Sequence, residues 1–126
     1  MPGIENQVKN ILLVLEEALK LDGIKADLIW AEDIVYDQRV TLKCRQNKCS
    51  HYGKNFMCPP MSPSSEEIQK STKKYKVAIV LQYEMLSKQG LTKKEMNQEF
   101  DKATLSLLDS LISLEKTAFK LGFFYA

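Results

Sequence analysis

The chain has 126 residues, of which 44% are hydrophobic and 27% charged, a balance that suits one soluble globular domain over 1–126 and excludes a disordered or low-complexity chain. The net charge is +2, and no extended basic face or recognisable module points to nucleic acid as a partner. No apolar run is long enough to span a bilayer, and the N-terminus lacks a basic flank ahead of an apolar core. The expectation is a cytoplasmic protein.

The elements follow in chain order. Ile4, Val8, Ile11, Leu15 and Ala18 or Leu19 recur at helical spacing, with Lys20 and Gly23 as stop signals, so the pattern predicts an amphipathic first helix. Ala26, Leu28 and Trp30 alternate with Asp27 and Ile29, and Val40, Leu42 and Cys44 alternate with Thr41 and Lys43. These read as two short strands with one buried face each, around a turn at 31–33. Pro59, Pro60 and Pro63 interrupt regular structure, and Ser64-Ser65-Glu66-Glu67 reads as a capping box that opens a short helix to about Lys74. Val77–Leu81 is continuously apolar, as in a strand covered on both faces. Thr92-Lys93-Lys94-Glu95 is a second capping box, followed by Met96, Phe100, Ala103, Leu107, Leu111, Leu114, Ala118 and Leu121 in steps of three and four. The predicted class is α+β: a small sheet of three to four strands packed with helices, the longest of them C-terminal. That last stripe is read as core first and as a homodimer or partner-protein seam second. The final residues, Phe123, Phe124 and Tyr125, are unusually aromatic for a chain end.

One segment stands apart. All three cysteines and the single histidine fall within fifteen residues, Cys44, Cys49, His51 and Cys58. In a reducing compartment an odd set of three thiols is poor material for disulfides, so a shared soft metal becomes the leading explanation for the loop at 44–60. From Gln38 to Ser65 there is no acidic residue, while Arg39, Lys43, Arg45, Lys48 and Lys54 contribute five positive charges. A positive neighbourhood stabilises thiolates and offsets the negative charge of an iron–sulfur–thiolate assembly. The spacing Cys-x4-Cys-x8-Cys lacks the Cys-x2-Cys pair of zinc knuckles and fingers. Gly53 allows a tight turn, and Pro59 and Pro60 shape the exit from Cys58.

Three readings follow. A [4Fe–4S] cluster takes the three thiolates and needs a fourth ligand that this sequence does not supply. A structural zinc site is completed by His51 as Cys3His, within a protein-interaction module. A metal-free domain uses the basic loop to hold an anion. Against them stand plainer roles: Cys44, in phase with Val40 and Leu42, as a small core residue, and His51 as a hydrogen-bonding imidazole. Tyr52 and Phe56 read as packing that shields the loop. No acid partner completes a cysteine–histidine nucleophile, so catalysis is not expected.

Arg39-Val40-x-Leu42-Lys43-Cys44, then Cys49, Tyr52-Gly53-Lys54-Asn55 and Cys58-Pro59-Pro60 resemble a family of small prokaryotic proteins described as predicted metal-binding proteins. The resemblance extends over most of the chain and implies ligand roles for Cys44, Cys49 and Cys58, with nothing firm for His51. It also implies a second cysteine-rich segment after the long helix, at the point where this sequence stops at Ala126.

Overall fold

The computed structural model describes residues 3–46, 49–85 and 89–126. Its elements are α1 (Ile4–Leu19), β1 (Ile24–Trp30), a 3-10 turn (Ala31–Asp33), α2 (Gln38–Gln46), α3 (Ser65–Thr72), β2 (Val77–Tyr83) and α4 (Lys93–Lys120). The chain divides into two compact units: Met1–Leu28 with Ile79–Ala126, and Ile29–Ala78.

The first unit is built on the pairing of α1 with α4. Val14 and Ala18 of α1 meet Leu114 and Ala118 of α4 in one buried cluster, as the three-and-four spacing of both helices requires. The two alanines leave room for a close helix approach. Asn10 fastens the seam by donating from Nδ2 to the Leu121 carbonyl at 3.2 Å. Against this cluster lie Ala26 of β1 and Ile79 and Leu81 of β2, which are partly buried. Thr92 opens α4 as expected: its hydroxyl accepts the Glu95 amide at 3.2 Å, and the Glu95 carboxylate accepts the Thr92 amide at 3.1 Å. Such reciprocal caps satisfy two amides that the helix itself leaves unpaired. Gly23, at φ +70°, carries the chain from α1 into β1 beside Tyr83, whose ring would lie 3.2 Å from any added Cβ. At the chain end Phe123 packs on the core, Phe124 meets Phe119 edge to face at 5.1 Å, and Tyr125 is exposed.

The sheet differs from expectation. Among the described residues it has two strands, β1 beside β2, where three to four were predicted. The missing strand is Val40–Cys44, which lies in helix α2. Within five residues, alternation and an i, i+4 repeat share the same apolar positions, and here capping decides between them. The Asp37 carboxylate accepts the Arg39 amide at 2.8 Å, and the Asp37 carbonyl accepts the Val40 amide at 3.1 Å, which starts a helix. β2 is covered on one face only, since Val80 is exposed between the half-buried Ile79 and Leu81. Trp30, expected on the buried face of β1, is exposed.

The second unit holds α2, the turns of 49–63 and α3. Ser64 and Glu67 form the expected capping box at 3.1 and 3.2 Å, and α3 ends at Thr72, two residues short of Lys74. The Tyr36 and Thr72 hydroxyls are hydrogen-bonded at 2.8 Å. The Ala31 amide bonds to the Lys76 carbonyl at 2.9 Å. Among the described residues of this unit none is buried.

Candidate metal centre

The three cysteines sit on consecutive turns that backbone hydrogen bonds tie together. Cys44 lies in the last turn of α2, and its carbonyl accepts the Cys49 amide at 3.3 Å. The Cys49 carbonyl in turn accepts the Tyr52 amide at 3.0 Å. Gly53 then donates to the Pro59 carbonyl at 2.7 Å, and it can do so because it holds φ +72°, a conformation that costs other residues about 1–2 kcal/mol. That bond closes a short loop whose penultimate residue before Pro59 is Cys58 itself. Within it the Asn55 side chain accepts the Met57 amide at 3.0 Å, and the Asn55 carbonyl accepts the Cys58 amide at 3.4 Å. The Cys58 carbonyl accepts from both Met61 and Ser62 at 3.1 Å. The Pro59–Pro60 peptide bond is cis.

Cys44 and Cys58 are half-buried, Cys49 is exposed, and none is in a disulfide. The donor set is all sulfur, the chemistry of zinc, copper(I) and iron–sulfur centres. Among the described residues, however, no group of three His, Cys, Asp or Glu side chains is gathered closely enough to hold a metal ion. Backbone bonds therefore bring the cysteine-bearing turns together, while the thiols are not converged.

The basic residues separate into different roles. Arg39 is taken up by its neighbour: its Nε stands 2.9 Å from Asp37 Oδ2, and this contact holds the Asp37 carboxyl below its ordinary range. Lys43 and Arg45 lie in the last turn of α2, where cations meet the negative end of the helix dipole. Their side chains are exposed, as is that of Lys54. Lys48 lies outside the described residues. His51 is half-buried and its carbonyl accepts the Lys54 amide at 3.2 Å. Tyr52 is half-buried, but Phe56, expected to shield the loop, is 82% exposed.

Two features went unread in the sequence. Asp37, just outside the acid-free stretch, caps α2 and occupies Arg39; an Asp three residues before the first apolar helical position, Val40, is the available signal. A groove of about 870 Å3 runs between α2 and the start of α3, lined by Arg39, Leu42, Arg45, Tyr52, Pro60 and Ser64 among others. It depends on α2 being a helix, so it could not be inferred from a strand at Val40–Cys44.

No helix among the described residues is long and apolar enough to cross a membrane. No curated protein and no solved structure matches the chain. A family described as predicted metal-binding protein, DUF2284, matches residues 27–126, which include α2, every cysteine and α4. That span is most of the chain, and the chain therefore belongs to the DUF2284 family of predicted metal-binding proteins.

Proposed function

We propose that Cys44, Cys49 and Cys58 are the protein's ligands to an iron–sulfur centre, and that the protein is a non-enzymatic accessory in redox or metal handling. The observation that carries this reading is the second unit's lack of any buried residue among those described, combined with three free thiols on hydrogen-bonded turns. A segment of roughly fifty residues without an apolar core is of the size that commonly needs a metal or disulfides for stability. Thiolates are the ligands this segment has to offer. Metal binding draws such side chains together as it folds them, so converged sulfurs are a property of the loaded site.

An iron–sulfur cluster calls for a fourth ligand beyond these three cysteines. Under this proposal it comes from a cysteine-rich segment of the kind the family resemblance implies, or from another chain. Lys43 and Arg45 then supply positive charge beside Cys44. The competing reading is a Cys3His zinc site completed by His51, favoured by the position of His51 in the turn that follows Cys49. A third reading, a metal-free site for an anion, is favoured by the groove that Arg45 lines.

Anaerobic purification followed by iron, sulfide and zinc analysis separates them. Stoichiometric iron and sulfide, lost together in Cys44→Ser, Cys49→Ser or Cys58→Ser, is the expected result. Zinc alone, lost also in His51→Ala, would replace it with the second reading. Neither metal after anaerobic reconstitution, with all three thiols open to alkylation, would leave the third.

A further inference from the structure

Helix α1 is apolar over far more of its circumference than α4 covers. At about 100° per residue, the residues from Val14 through Ala18, Ile4 and Val8 to Leu12 sweep out roughly 180°, against the 100° or so that a single packing contact needs. Val14 and Ala18 are buried, but Ile4 is 81% exposed, Val8 51%, Leu12 46% and Leu19 58%. Ile4, Val8 and Leu12 line a shallow trough on α1, and Leu19 continues their strip at the same face of the helix. Contiguous exposed apolar strips of several hundred Å2 mark interaction surfaces.

The edge of the strip says what lies on it. Glu5, Lys9, Glu16 and Lys20 form a single row beside the apolar residues, with signs that alternate along the helix. Laid against a second α1 running the opposite way, with the two-fold axis between Leu12 and Leu13, this row meets itself in reverse. Glu5 then stands opposite the partner's Lys20, and Lys9 opposite the partner's Glu16. The apolar register agrees, because the two copies of Leu12 fall side by side and the partner's Leu19 falls between Ile4 and Val8. Lys20 holds Glu17 of its own chain at 2.9 Å, an exposed pair of the kind that is readily exchanged.

We propose that α1 is the interface of a two-fold symmetric homodimer, formed by antiparallel pairing of its Ile4–Leu19 strip with that of a second copy. This moves the seam from the last helix, where the sequence pattern suggested it. α4 does expose Leu105, Ile112 and Phe119 at 63%, 50% and 57%. The α1 strip lies wholly before the family-matched residues 27–126, so pairing there is independent of the metal proposal.

The strips bury on the order of 400 Å2 per chain, about half of a standard interface, so the dimer is of the weak, reversible kind and is sought up to about 100 µM. Sedimentation equilibrium of the full chain under reducing, anaerobic conditions should show this monomer–dimer equilibrium. Leu12→Asp should abolish it with helicity intact, since Leu12 is outside the core. Lys9→Glu and Glu16→Lys should each weaken it several-fold, by bringing like charges together. Mixed in equal amounts, those two variants restore acid opposite base at both positions, and the mixture should associate more tightly than either alone. A chain that stays monomeric up to that concentration overturns the proposal, as does a dimer indifferent to Leu12→Asp or a mixture no tighter than its components.

Discussion

The two units of the chain are held together by different physics. In the first, Val14, Ala18, Leu114 and Ala118 exclude water from one another, and α1, α4 and the strands follow from that contact. In the second, Ile29–Ala78, no described residue is buried, and order comes from helix caps, the Gly53–Pro59 bond and the turns around the cysteines. Apolar burial is worth about 25 cal/mol per Å2 and is cooperative across a core. A capped turn exposed to water contributes about 1 kcal/mol and acts locally. The lesson is that the cysteine unit is the part whose stability should depend on something bound to it.

The sharpest way to break that contrast is to remove the metal. After anaerobic loading and then chelation, amide hydrogen exchange should accelerate at least about tenfold through α2, the turns of 49–63 and α3, a change of about 1.4 kcal/mol or more. Exchange in α1 and the C-terminal half of α4, around Leu114 and Ala118, should hold within a factor of about two. Equal acceleration in both units would show that the cysteine unit is not separately stabilised. No change in either would remove the metal from its proposed structural role.

The converse perturbation acts on the first unit. Leu114→Ala deletes the largest side chain of the buried cluster, at a cost of about 2–4 kcal/mol measured by denaturant unfolding. Metal content per folded chain should stay unchanged, because the cluster and the residues packed on it all belong to the first unit. Loss of metal in parallel with stability would join what the contrast separates.

The same contrast explains what the sequence made legible. α1, α4 and both capping boxes were readable because sixteen to twenty-eight residues of periodicity, or a four-residue cap with its own hydrogen bonds, carry the information locally. α2 was not readable: five residues of Val-Thr-Leu-Lys-Cys fit two periods, and Asp37, which breaks the tie, lies outside the pattern. Trp30 was misplaced because alternation assigns a face without saying whether anything covers it. For the site, residue types were legible in the clustering of Cys44, Cys49, His51 and Cys58. Their arrangement was not, since it rests on bonds such as Gly53 to Pro59, which are made between backbone groups and leave almost no mark on side-chain choice.

The smallest effect concerns Arg39, which sequence alone grouped with the charges around the cysteines. Its guanidinium is committed to Asp37, whose carboxyl is held below the ordinary value of 3.8 by that hydrogen bond and then by the Arg39 amide. A carboxyl that resists protonation more strongly when folded contributes its full share of stability above that ordinary value. The share drains away as pH falls through the lower folded value, so acid, not base, should weaken the start of α2. Carboxyl-carbon NMR titration should place the Asp37 midpoint below 3.8, and Arg39→Ala should raise it toward that value while leaving bound metal unchanged. Asp37→Asn keeps an oxygen to cap α2 and loses only the charge, so it should cost less than Asp37→Ala. If Arg39→Ala left the titration untouched and lowered metal content instead, Arg39 would belong with the cysteines after all, and the line between the capped helix and the candidate site would have to be redrawn.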